Sequence, residues 1–116
     1  LPVYVARLID AADQFFADQP GYYAIFMEVQ GSMPELERIE DDADRRLIQD
    51  WSGVFAQLNA ALTPEDCEAI AFVLVKAIGT LLWVAIGQGP EFRQRLVAET
   101  QRLTLGYLQG YFPDLV

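Results

Sequence analysis

An all-α fold, a five-helix bundle-like domain, is what the sequence predicts, and three observations lead there. Apolar residues recur at three- and four-residue spacing nearly throughout, no stretch alternates as a half-buried strand would, and Pro and Gly fall where helices start and stop. A chain of 116 residues suits one domain, here 1–116.

The first helix is expected over Pro2 to Ala17, with Val5, Leu8, Ile9, Ala12, Phe15 and Phe16 towards one side. Asp18-Gln19-Pro20-Gly21 interrupts it, because Pro20 cannot continue a helix but can open the next. A short second helix follows to about Val29, carrying Tyr22, Tyr23, Ile25, Phe26 and Met27, and Gly31 closes it. Ser32 and Glu35 have the spacing of a capping box and start a third helix running to about Leu62. Leu36, Ile39, Ala43, Leu47, Trp51, Val54 and Leu58 form its apolar stripe, opposite Glu37, Arg38, Asp41, Asp42, Arg45 and Gln49. Thr63-Pro64-Glu65-Asp66 opens the fourth helix with a cap, a first-turn proline and acids at the positive dipole end. It extends to about Gly87, and Gly89-Pro90 starts a fifth that runs to about Phe112.

Within the fourth helix, Ala69 to Gly87 carries a single charge, Lys76, and one hydroxyl, Thr80. At ~1.5 Å per residue the run could cross a bilayer. Lys76 at its middle would cost about 2.5–3.5 kcal/mol on insertion, and no basic cluster or aromatic belt flanks it, so a core helix is expected and no membrane. Cys67, Ile70, Leu74, Ala77, Ile78, Leu81 and Ala85 make one apolar stripe, while Glu65, Phe72, Lys76, Thr80 and Trp83 lie opposite. The fifth helix is two-sided as well, with Phe92, Leu96, Leu103, Tyr107 and Tyr111 facing away from Val97, Leu105, Leu108 and Phe112. One face of each helix can pack at home and the other is left for a partner. The expectation is a homodimer whose last two helices form a four-helix seam lined by Ile70, Leu74, Ile78, Leu81, Val97, Leu105, Leu108 and Phe112.

Composition narrows the function. The chain is 53% hydrophobic, above the ~45–50% of ordinary globular proteins, which suggests a lined cavity, a buried interface or both. A net charge of −9 repels phosphates, so these residues are expected not to contact nucleic acid. Histidine is absent, which excludes Ser-His-Asp and Cys-His catalysis, His-bearing zinc sites and Glu-x-x-His di-metal bundles. Cys67 has no partner for an internal disulfide and fits a reducing cytosol, hence a cytoplasmic setting. Leu1-Pro2-Val3-Tyr4 has neither the basic start of a signal peptide nor an initiator Met, so a fragment or processed product is expected.

No catalytic constellation emerges. Ser32 and Thr63 are accounted for by capping, Ser52 has no base, and Cys67 lies on the most apolar stripe. The acidic run Glu35, Glu37, Glu40, Asp41, Asp42 and Asp44 is interspersed with Arg38, Arg45 and Arg46 and reads as a solvated face rather than a metal site. A non-enzymatic chain without metal or cofactor is expected. The aromatics suggest a small-molecule pocket walled by Phe16, Tyr23, Phe26, Met27, Trp51, Phe55, Phe72 and Trp83, with Lys76 and Thr80 as polar anchors. A plain core, or Lys76 in solvent, explains the same residues equally well. If the pocket forms, an apolar ligand with an acidic or hydrogen-bonding head fits best, and a neutral aromatic also fits.

The stretch Phe15-Phe16-Ala17-Asp18-Gln19-Pro20-Gly21-Tyr22-Tyr23-Ala24-Ile25-Phe26 resembles the helix–Pro-Gly–helix junction in the regulatory domains of TetR-type transcriptional repressors. The long charged helix that follows, and the closing pair ending near Gly87 and running from Arg95-Leu96-Val97-Ala98-Glu99 through Gly106-Tyr107-Leu108, also look like that family's layout. The resemblance spans nearly the whole chain. It implies a C-terminal effector-binding and dimerisation domain serving an N-terminal helix-turn-helix that reads operator DNA, and no helix-turn-helix precedes Leu1 in this sequence. An interaction module without a cavity, or a carrier of small ligands, is the alternative.

Overall fold

The computed structural model describes residues 2–18 and 34–113, and all side chains there except those at 2, 15–17, 34–37, 39 and 40. Among them are four helices and no strand: α1 (Pro2–Ala17), α2 (Pro34–Leu58), α3 (Pro64–Ile86) and α4 (Pro90–Gln109). The chain is all-α. The second of the five expected helices, Pro20 to about Val29, lies outside the described residues, as do Ser32 and the side chain of Glu35.

Local chemistry explains the boundaries. The Asp66 amide donates to Thr63 Oγ1 at 3.1 Å and the Thr63 amide to Asp66 Oδ2 at 3.2 Å, a reciprocal cap that starts α3 where the sequence places it. α2 stops at Leu58, short of the expected Leu62, because the Asn59 side chain accepts from the Ala61 amide at 3.0 Å and diverts the backbone into a turn. α4 ends at Gln109 rather than Phe112: Gly110 follows it, and the Phe112 amide turns back onto the Leu108 carbonyl at 2.8 Å.

The chain divides into two compact units, one of Leu1–Gln19 with Ala77–Val116 and one of Pro20–Lys76, so that α3 carries the chain from the second into the first. In the first unit α1 and α4 pack antiparallel. Arg93 reaches Asp13 through Nε to Oδ1 at 3.2 Å and Nη2 to Oδ2 at 3.0 Å, and also donates to the Asp13 carbonyl. Further along, Gln101 Nε2 donates to Asp10 Oδ1 at 2.9 Å and to the Ala6 carbonyl. Val5 and Ile9 of α1 are buried in this unit, as are Ile78, Leu82 and Ala85 of α3 and Val97, Thr100, Thr104 and Leu108 of α4.

The two faces of α4 are therefore exchanged relative to expectation. Val97, Leu108 and Phe112, assigned above to a partner, are buried within the chain, whereas Phe92 and Leu103 are each 53% exposed. The threonines explain the exchange. Thr100 Oγ1 donates to the Leu96 carbonyl at 2.7 Å and Thr104 Oγ1 to the Thr100 carbonyl at 2.8 Å. Each hydroxyl is satisfied one turn back, which leaves a methyl group to pack, and two residues that read as polar join the apolar face. On α3 the proposed seam residues Ile70, Leu74 and Ile78 are likewise buried at home, and Leu81 and Leu105 are half-buried. A side chain already removed from water has little area left to offer a second chain.

The second unit corrects α2 in the same way. Leu47, Val54 and Leu58 of the expected core stripe are exposed, and Ile48 and Phe55 are buried instead, together with Cys67, Ile70, Ala71, Leu74 and Val75 of α3. α2 is thus rotated about its axis from the orientation its apolar pattern suggests, for a reason given below.

Two substitutions test this core. Ile9→Ala, at a site with 0% exposure, is expected to cost about 2–5 kcal/mol of stability in urea unfolding. Thr104→Val should change stability by no more than about 1 kcal/mol, because the carbonyl it leaves keeps its helical amide partner. A loss well above that would mean the hydroxyl has a second role.

Candidate functional site

Lys76 stands at the middle of an otherwise apolar helix, and a charge there needs a partner. It has two. Its Nζ donates to Asp44 Oδ2 at 2.8 Å and to Asp41 Oδ1 at 3.1 Å, both carried by α2 within the same unit. Asp41 and Asp44 lie three residues apart and so project from one side of α2. Continuing that three- and four-residue spacing gives Ile48, half-buried Trp51 and buried Phe55. The side of α2 that meets Lys76 is therefore the buried side, and this sets the rotation of the helix. The Lys76 ammonium also lies 5.8 Å from the centroid of the Phe72 ring, within reach of its π face.

The hydrogen bond that Lys76 donates to Asp44 is the main cause that raises the Lys76 pKa above its usual value; burial opposes the shift, and the bond to Asp41 adds to it. Lys76 is fully protonated at neutral pH and its charge is met by two carboxylates. The head group expected of a ligand at this lysine is supplied by the chain itself. A ligand carboxylate brought here would meet one ammonium and two aspartates, a net negative cluster. Asp44 leaves the solvated acidic face to which the sequence pattern assigns it, whereas Asp41 stays exposed while pairing with Lys76, and Asp42 lies on that face 4.0 Å from Arg45.

The remaining candidates are distributed as follows. Trp51, Phe55, Phe72 and Lys76 belong to the unit of Pro20–Lys76, with Phe72 more than half exposed. Thr80, exposed, and Trp83, half-buried, belong to the other unit. Tyr23, Phe26, Met27 and the side chain of Phe16 lie outside what is described. The structure brings Lys76 and Phe72 together and adds Asp41 and Asp44, which sequence reasoning did not select. Their signal was present: a lone cation in an apolar run, and two acids in register with Ile48 and Phe55. Among the described residues no three acidic or cysteine side chains converge as metal ligands, and every buried side-chain nitrogen or oxygen has a hydrogen-bond partner.

A second feature is apolar and faces outward. Phe92 and Leu103 of α4 share a stripe with half-buried Leu96. On α3, exposed Val84 and Thr80 and half-buried Ala77 follow one another at three- and four-residue spacing in the same unit. These stripes flank the short Gly87–Gly89 connection between the two helices.

The family model described as tetracyclin repressor-like, C-terminal domain, matches residues 1–108. No curated protein and no solved structure matches the chain.

Removing the cation tests the Lys76 cluster. The Lys76 side chain is 36% exposed, Asp44 22% and Asp41 61%, so Lys76→Met should cost no more than about 1 kcal/mol. In double-mutant cycles the coupling to Asp44→Asn should exceed that to Asp41→Asn. Because the folded-state pKa of Lys76 is raised, its contribution is complete below the unfolded lysine pKa of about 10.4 and is lost as pH rises through the folded value. The stability gap between wild type and Lys76→Met should hold from neutral pH to about pH 10 and close above it. A gap that closes near neutrality would assign it to another group.

Proposed function

The chain belongs to the family of tetracyclin repressor-like C-terminal domains, and on that premise we propose that it is the ligand-sensing and homodimerising domain of a TetR-like transcriptional repressor. It acts by binding rather than catalysis, as a single domain in a soluble, cytoplasmic regulator. The family match is the observation that carries this reading, and the charge supports it. With a net charge of −9 these residues do not hold DNA, and operator recognition falls to a helix-turn-helix domain N-terminal to them.

The effector is a small apolar or amphipathic molecule. Trp51, Phe55 and Phe72, from the unit that contains Lys76, are its contacts, with Tyr23, Phe26 and Met27 of the same unit as further candidates. Because Lys76 is neutralised by Asp41 and Asp44, a neutral aromatic or a hydrogen-bonding head suits the site better than a carboxylate. The second copy docks on the outward stripes of the last two helices, through Phe92, Leu96 and Leu103 of α4 and Val84 of α3. Exposure supports these residues in place of the buried set expected from the sequence.

Three measurements test the reading. In sedimentation the protein should run as a dimer at micromolar concentration, and Leu103→Glu as a folded monomer. Random duplex DNA should show no salt-dependent mobility shift with residues 1–116. The fluorescence of Trp51, isolated in a Trp83→Phe variant, should respond to neutral apolar aromatics more strongly than to their carboxylate analogues. No response across a broad panel of either kind would remove the effector assignment.

A further inference from the structure

α2 carries two apolar faces, and the chain buries one of them. Successive helical residues stand about 100° apart around the axis, so Leu47 and Val54 are each one such step from Ile48 and Phe55. Ile48 and Phe55 are buried, whereas Leu47, Val54 and Leu58 are exposed. Trp51 falls between the two faces by position and is half-buried. Apolar area does not decide between them, because two leucines and a valine carry as many side-chain carbons as an isoleucine and a phenylalanine. The difference is polar. Asp41 and Asp44 lie on the side of Ile48 and Phe55, where the Lys76 Nζ reaches them at 3.1 and 2.8 Å.

We infer that α2 is a two-position helix: the contacts of Lys76 with Asp41 and Asp44 hold Ile48 and Phe55 inward, and loss of the Lys76 charge lets the helix turn by about 90° about its axis, so that Leu47, Val54 and Leu58 replace them. A half-exposed ion pair contributes too little to overrule a strongly preferred face. It suffices where the two faces are nearly matched, because the population of two close states follows a small difference between them. The seat for either face is the same, the buried Cys67, Ile70, Ala71, Leu74 and Val75 of α3 within the Pro20–Lys76 unit. A packed interface of this kind holds discrete arrangements rather than a continuum, which makes the turn a switch and not a drift. Trp51, between the faces, changes its surroundings with the turn, and the wall of the effector site changes with it. That last consequence rests on the effector reading above; the turn itself does not.

Cysteine labelling reads the two faces separately. In a Cys67→Ala background, Val54→Cys, at a position 49% exposed, should react readily with a maleimide, and Ile48→Cys, at a position 7% exposed, slowly. Adding Lys76→Met should exchange them: labelling at 54 slows and labelling at 48 quickens, each by roughly tenfold, with helical content by circular dichroism unchanged. Asp41→Asn combined with Asp44→Asn should do the same, so a folding defect in one variant leaves the other to decide. Lys76→Arg, which keeps the charge, should label as the parent does. Unchanged labelling in both charge-removed variants overturns the inference, since Ile48 and Phe55 then hold their side unaided. So does a rise at both positions, which marks a loosened helix rather than a turned one. Either failure leaves the effector reading standing, because the Trp51 fluorescence response tests that separately.

Discussion

The Lys76 ammonium, shared between Asp41 and Asp44, is the constraint on which the Pro20–Lys76 unit depends. A charge in an apolar helix has few ways to be accommodated: it can reach solvent, lose its proton or find counter-charges. Here it keeps partial access to solvent and finds counter-charges as well. In doing so it selects which side of α2 faces inward, because the two aspartates lie in register with Ile48 and Phe55 rather than with Leu47 and Val54. The net energy of such a half-exposed cluster is small. Its effect on geometry is larger, since a pair of fixed polar contacts discriminates between helix faces of similar hydrophobicity.

How far the sequence was legible follows from this. Helix positions read well, because the signals are local: Pro64 and the Thr63–Asp66 cap begin α3, and Gly89-Pro90 begins α4. Helix rotation read poorly. The apolar periodicity of α4 admits two faces, and the single stripe read on α2 is not the side that the fold buries, because the choice depends on side-chain partners that periodicity does not show. For α2 it depended on a lysine 32 residues from Asp44. For α4 it depended on hydroxyl groups whose partners are their own backbone, a loss of polarity that no hydropathy value registers. The candidate site shares this pattern. Lys76 was recognisable as unusual, but the identity of its partners required the fold.

The same constraint bears on the effector proposed above. Buried polar groups that already have partners offer a ligand nothing in exchange for its own desolvation. Among the described residues every buried side-chain donor and acceptor is matched. At the effector site proposed above, selection on shape and apolar area would therefore have more to work with than selection on charge, and discrimination between ligands differing by one methylene would be modest, about 1–3 kcal/mol.

The antiparallel contact of α1 with α4 has a consequence for how the chain reaches its folded state. Asp13 and Arg93 are 80 residues apart, and Ala6 and Gln101 are 95 apart. α1 is therefore made long before the helix that covers Val5 and Ile9 exists. At ribosomal rates of about 5–20 residues per second, that apolar face waits several seconds for its partner. Contacts of such sequence separation also carry a loop-closure penalty that helix–helix neighbours avoid, so this pairing forms late. The unit holding α1 closes only when α4 has been made, and until then the apolar side of α1 lacks that partner.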